Sequence, residues 1–251
     1  MRILAIHAHP DDIEFLCAGT LYLLRDKGHE IHLANVCNGD KGSATHTSAE
    51  IAAIRLLEAK NAAALLQAEH TCLGISDLSV YNDEYTRKLV TEFVRRCKPD
   101  IIFTASPQDY MLDHEIVSQL ARHAAFCAGA GLYETGTAEP LQHIPALYYM
   151  DPVEGKDMFG KAVEADFCID ITNAIAVKEQ MLACHASQRE WLLKHHGVDQ
   201  YINAMRDWSS KRGREFGCQY GEGFRQHKGH AYPQENMLKK LLSKTVMREK
   251  E

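Results

Sequence analysis

Four consecutive residues, His9-Pro10-Asp11-Asp12, could bind a metal ion and still keep one carboxylate in reserve. His9 and Asp12 are three apart, close enough on a turn for an imidazole and a carboxylate to grip one cation. Asp11 lies between them and is free for other work. A divalent ion that activates water needs about three protein ligands and one open position. The third candidate is His114, which closes the run Ser106-Pro-Gln-Asp-Tyr-Met-Leu-Asp-His114. The plain competing reading is an Asp-rich helix cap after a strand, with His114 merely beginning another helix.

The elements that must position these residues alternate along the first half of the chain. Strands are expected at Arg2–Ala8, Glu30–Cys37, His70–Leu73 and Ile101–Ala105. Between and after them come amphipathic helices at Asp12–Lys27, Ala49–Ala68, Asp83–Cys97 and Asp113–Ala128, with a polar loop at Asn38–Thr47. This rhythm implies an α/β fold, a Rossmann-like and mainly parallel sheet flanked by helices. In the strand order 3-2-1-4-5, strands 1 and 4 are neighbours at the switch point, where ligands bind beyond the carboxyl ends. His9 and His114 would meet there. Past Gly129–Gly136, strands are expected at Ile144–Met150 and Ala165–Ile171, then helices at Asn173–Lys194 and Val198–Arg214. The charged tail after Glu235 reads as a surface helix. The chain is read as one domain, 1–251, with a core over about 1–128 and a C-terminal elaboration over 129–251.

Composition narrows the partners. The chain has 251 residues, 45% of them hydrophobic and 25% charged, as in ordinary globular proteins. With 28 Lys+Arg against 34 Asp+Glu, the net charge of −6 argues against non-specific nucleic-acid binding. The opening run is too short and too acidic for a signal peptide, and no apolar stretch reaches the roughly 18 residues of a membrane span. Eight cysteines without a CxxC pair read as reduced thiols, so the cytoplasm is the expected compartment and no membrane partner is expected.

Several segments together resemble the LmbE-like (PIG-L-type) zinc-dependent de-N-acetylases. They are the opening AHPDDIEFLCAGTL, Asn38-Gly-Asp-Lys-Gly-Ser43, the helix bearing Arg55 and Glu58, and Leu73-Gly-Ile-Ser-Asp77. Further on come Asp109-Tyr-x-x-Asp-His114, Asp170-Ile-Thr, Lys178, His185-Ala-Ser-Gln and Tyr220-Gly-Glu. The likeness spans most of residues 3–225. It implies zinc held by His9, Asp12 and His114, although the same donors would suit Fe2+. It also implies Asp11 as the general base, and an N-acetylated amino sugar or its conjugate as the small-molecule substrate. Asp40 and Arg55 match residues that hold the substrate; a structural arginine paired with Glu58 or Asp77 is the alternative for Arg55. Asp113 could orient an imidazole or cap its helix. Two other readings share these residues: a zinc-dependent hydratase, and a carbohydrate-binding protein without catalysis.

The chain departs from the family where a His is usual and Met111 stands instead. Tyr110 is then the nearest hydroxyl for the oxyanion, or else a ring packed on the sheet. Ala18-Gly19 replaces the usual glycine pair, which bears on substrate fit. His185 reads as structural, and His195-His196 and His227-x-x-His230 as surface residues. Gly129-Ala-Gly131 fails as a dinucleotide fingerprint, since it follows a helix and ends at Glu134. Family members commonly form closed rings, and some of the apolar surface of the stretch 129–165, with Leu132, Tyr133, Leu141, Tyr148 and Tyr149, is expected to be buried between subunits of a homo-oligomer.

Overall fold

The computed structural model describes residues 1–189 and 200–247. In its first half it follows the expected alternation. Strands β1 (Arg2–His7), β2 (Glu30–Cys37), β3 (Glu69–Ile75), β4 (Ile101–Thr104) and β5 (Ala146–Met150) pair in parallel. Helices α1 (Asp12–Asp26), α2 (Ser48–Leu65), α3 (Glu84–Cys97) and α4 (Leu112–Cys127) connect them. Two of these starts carry side-chain signals. Thr47 and Glu50 close a capping box on α2, and Asp83 with Thr86 does the same for α3.

Both faces of the sheet are covered, so its central strands read as unbroken apolar runs rather than alternating ones. Ile3, Ala5, Phe103 and Tyr148 face α1 and the end of α2. Leu4, Ile6, Ile102 and Leu147 face α3 and α4. Gly19 on α1 lies against Ile171, which an added Cβ would approach to 2.8 Å, and Ala18 is buried in the same cluster. The Ala18-Gly19 departure therefore concerns helix packing rather than the substrate.

The C-terminal half differs more from expectation. Strand β6 (Phe167–Asp170) is present, but a strand the sequence reading missed, β7 (Gly221–Gln226), lies between it and β5, antiparallel to both. The eight-stranded order is β3-β2-β1-β4-β5-β7-β6-β8, the last strand being Val246–Met247. Two glycines in Gly-Glu-Gly-Phe-Arg-Gln had lowered the strand signal of β7. The expected helix Asn173–Lys194 is shorter: α5 covers Ile175–Ala183, and a separate helical turn starts at residue 186. Its remainder, and His195-His196, lie outside the described residues. Helix α6 runs from Gln200 to Phe216. The tail is no free surface helix, because the short α7 (Met237–Leu241) buries Leu238, and Leu242 follows it into the core.

Two buried ion pairs tie this half down. Lys178 on α5 donates to Glu222 of β7 at 2.5 Å, and Glu222 also accepts from the Gly19 and Thr20 amides of α1. Arg212 on α6 donates twice to Asp151, at 2.7 and 3.0 Å. The surface expected between subunits is largely consumed inside the chain. Leu141, Tyr148 and Tyr149 are core residues, Tyr133 is half-buried, and among the five only Leu132 stands fully exposed. His227 is half-buried against the Tyr149 hydroxyl, and His230 is exposed. Among the described residues no helix is long and apolar enough to cross a membrane.

Candidate metal centre and active site

β1 ends at His7, and the chain turns through His9 and Pro10 before α1 begins. Asp11 occupies the N-cap position with φ 108°, yet its side chain caps nothing. That left-handed backbone costs a residue with a Cβ on the order of 1–3 kcal/mol, so the surrounding structure must hold it. The helix-cap reading of His-Pro-Asp-Asp fails here. Instead the Asp11 carboxylate accepts a 2.6 Å bond from the Tyr201 hydroxyl and lies 3.4 Å from Arg55 Nη2.

Asp12, one residue on, faces the other way. Its Oδ2 accepts from the His9 amide at 2.7 Å and from His7 Nδ1 at 2.6 Å. The same oxygen lies 3.5 Å from His9 Nδ1 and 3.5 Å from His114 Nε2. Each outer imidazole is braced from behind: His9 Nε2 meets Asp113 at 3.1 Å, and His114 Nδ1 meets Asp109 at 3.0 Å. Asp113 thus orients an imidazole, while the N-cap position of α4 belongs to Met111.

These neighbours split the two adjacent carboxyls. Burial raises the Asp11 pKa, and the Asp12 charge adds to it against the opposing pull of Arg55. For Asp12 burial is outweighed by His7 and His114, which hold it well below the usual carboxylate range. Burial opposes charge on His9 too, but Asp113 and Asp12 push it up to about 10. His114 is raised likewise by Asp12 and Asp109. One carboxyl is thus tuned toward carrying a proton and the other toward staying charged.

Among the described residues, two groups of three buried side chains place ligand atoms within 4.8 Å of one another. They are His7, Asp12 and His114, and His9, Cys37 and Asp113. A zinc-type ion fits the first region. Ligands about 2.1 Å from a tetrahedral centre stand about 3.4 Å apart, close to the spacing of Asp12 Oδ2 from the two outer imidazoles. His7 and His9 compete for the third place. His9, Asp12 and His114 all line the cavity, whereas His7 lies behind it, braced on Asp12.

That cavity, of about 830 Å³, has a second wall. Tyr201, Ala204, Trp208 and Lys211 recur on one face of α6, and Val153 and Glu154 face the cavity beside them. Tyr110 also lines it, edge-on to His114 with ring centroids 5.6 Å apart. Arg55 reaches the cavity but donates to the Pro10 carbonyl at 2.6 Å and to that of Gly39 at 3.4 Å. A Cβ at Gly39 would come within 2.7 Å of its chain, which is why that turn needs glycine. Glu58, considered as its partner, instead binds Ser187, and Asp77 Oδ2 is 4.0 Å away.

Asp40 does not line the cavity. Its oxygens accept from the Ser76 hydroxyl at 2.8 and 3.0 Å and from the Asp77 amide at 2.9 Å, joining two loops. His185 is fully buried, 3.4 Å from Glu14, and stays off the cavity wall. Sequence reasoning missed His7, which looks like any strand residue, and Tyr201, whose approach depends on how α6 docks. Asp109 sat within a quoted motif but had no role; its spacing of five before His114 was the available signal.

Residues 4–125 match the family model for GlcNAc-PI de-N-acetylases, PIG-L. Over that segment the chain is similar to the PIG-L family. The matched PIG-L segment contains His9, Asp11, Asp12 and His114, and stops before the α6 wall. Solved structures extend the likeness beyond it. An N,N'-diacetylchitobiose deacetylase from Pyrococcus horikoshii is 23% identical, with TM-score 0.78, over 94% of this chain and 88% of that one. A 4-carboxy-2-hydroxymuconate hydratase from Pseudomonas putida is 22% identical, with TM-score 0.75, over 94% and 100%. A teicoplanin deacetylase in its zinc-inhibited form is 14% identical, with TM-score 0.67, over 91% and 99%. At such identities what is shared is the fold, and that fold serves both deacetylases and a hydratase.

Proposed function

We propose that this chain is a metal-dependent hydrolase that removes the acetyl group from a soluble N-acetylated amino sugar or its conjugate. The observation that carries the reading is the divergence of Asp11 from Asp12. A structural metal site has no use for a carboxylate beside its ligands, raised in pKa and held at a strained φ. Hydrolysis needs one. The PIG-L description and the chitobiose deacetylase likeness favour amide cleavage over hydration of a double bond.

In this reading His9, Asp12 and His114 hold the ion, with His7, Asp113 and Asp109 fixing their orientation. A divalent ion held there, zinc or Fe2+, would supply Lewis acidity toward the acetamide carbonyl and the attacking water. Asp11 takes the proton of the attacking water and returns it to the departing amine. Tyr201 and Arg55 keep its two oxygens aimed at the cavity. The Tyr110 phenol, on the cavity wall, donates to the developing oxyanion. Lys41, Gln188, Asp207 and Trp208 offer polar groups and a flat ring suited to a hydroxyl-rich sugar. One continuous sheet supports treating residues 1–251 as one domain, and eight free cysteines support a cytoplasmic setting.

The test is a screen of soluble N-acetyl amino sugars for released amine, before and after chelation. Release that vanishes with the metal and returns on adding it back supports the reading. Release unchanged after complete metal removal refutes it, and hydration of an unsaturated acid without amine release assigns the fold's other activity.

A further inference from the structure

His9, proposed above as a ligand of the catalytic ion, falls geometrically into a three-residue cluster of other donors. On the side away from Asp12 it is grouped with Cys37, at the end of β2, and Asp113 on α4. All three side chains are buried, and their ligand atoms lie within 4.8 Å of one another. The mechanism above has no use for Cys37. We propose that His9, Cys37 and Asp113 form a second site, for a thiophilic divalent cation such as Zn2+ or Cd2+, and that filling it withdraws His9 from the first.

The donor set is mixed: one thiol, one imidazole and one carboxylate, from the ends of two strands and the start of a helix. Thiolate selects zinc and cadmium over magnesium and manganese, which prefer oxygen. An ion arrives through the cavity, since His9 forms part of its wall. Binding exchanges the thiol proton of Cys37 for the metal, and the proton leaves to solvent. The competition follows from imidazole itself. A neutral ring has a single lone pair on nitrogen, so one tautomer serves one ion. His9 Nδ1 lies 3.5 Å from Asp12, on the catalytic side, and Nε2 lies 3.1 Å from Asp113. A cation taken by Nε2 leaves Nδ1 protonated and unable to ligate beside Asp12. Excess zinc therefore inhibits, through a site distinct from the one that zinc activates.

The inference rests on the metal-centre reading, but its main readout is spectroscopic and independent of turnover. Stripped protein is titrated with Co2+ and with Cd2+ while thiolate-to-metal charge-transfer absorption is followed. Wild type is expected to bind a second equivalent and develop that absorption. Cys37→Ser and Cys37→Ala should stop at one equivalent without it; two variants guard against one failing to fold. On an active substrate, excess zinc should reduce wild-type turnover about tenfold or more and the Cys37→Ala variant less than about twofold, the contrast expected when thiolate governs selectivity. A wild type without charge-transfer absorption, or absorption retained in both variants, overturns the second site. Cys37-dependent absorption in a protein that releases no amine from any substrate leaves the site standing and sinks the hydrolase reading instead.

Discussion

The two walls of the cavity are built on different logics. On the wall made by residues 7–12 and 109–114, most functional side chains are braced by another buried side chain, and one oxygen of Asp12 gathers four nitrogen neighbours. On the α6 wall, residues four and three apart present a ring, a methyl and an ammonium group. That helix is anchored from outside the site by Arg212 on Asp151, while Trp208, on the cavity wall, packs where a side chain at Gly155 would collide. The first wall is over-determined and suited to chemistry, whereas the second is a docked surface suited to choosing what enters. Among the described residues, Tyr201 is the contact by which the second wall reaches the Asp11 carboxylate.

The sharpest way to break this contrast is Asp12→Asn, which removes the shared anion. Metal occupancy should collapse and turnover with it, as read by metal analysis of the purified variant. Next in size is Arg212→Leu, which leaves the Asp151 carboxylate buried without its partner. Denaturant unfolding should show a loss of about 3–5 kcal/mol, with metal occupancy of the folded fraction unchanged. If Arg212→Leu emptied the metal site, the two walls would not be separable. Asp11→Asn should keep its metal and lose turnover by roughly 10²-fold, the scale of a missing general base.

Tyr201→Phe asks how strongly the walls communicate. It removes one bond to a charged acceptor, so kcat should fall about tenfold, with KM and metal content close to wild type. A change in KM alone would make Tyr201 a substrate contact. A further test is the pH dependence of the metal-free chain. His9 has a folded pKa of about 10 against 6.5 for the free side chain, so its stabilising contribution is whole below about pH 6.5 and fades as pH rises toward 10. The melting temperature of the stripped protein should drop across that window, and more steeply than that of the loaded protein.

The contrast also explains what the sequence could reveal. His9, Asp11, Asp12 and His114 sit at strand ends whose neighbour relations follow from the alternation of strands and helices, so local spacing plus topology sufficed. His7 was hidden because a strand buried on both faces shows no alternation to mark an unusual residue. Tyr201 was hidden because its approach to Asp11 crosses 190 residues of chain and depends on a buried ion pair with no local signature. Asp40, in the loop after β2, and Arg55, on α2, were chosen because they match residues that hold the substrate in the family the sequence resembles. Whether such a carboxylate faces a ligand or a neighbouring loop depends on the Ser76 hydroxyl and Asp77 amide, which only the folded chain brings near.

Strand β7 has a consequence for how the molecule is made. Strands β2 to β5 each find a partner among segments already synthesised, and helices are available to cover them as they form. Phe167–Asp170 is different, since both strands it pairs with, Gly221–Gln226 and Val246–Met247, come later in the chain. During translation this apolar strand must wait more than fifty residues for its first hydrogen-bonded neighbour, with its edge open to other chains. Nascent chains halted shortly after residue 170 should therefore aggregate or recruit chaperones, whereas chains halted after residue 226 should not.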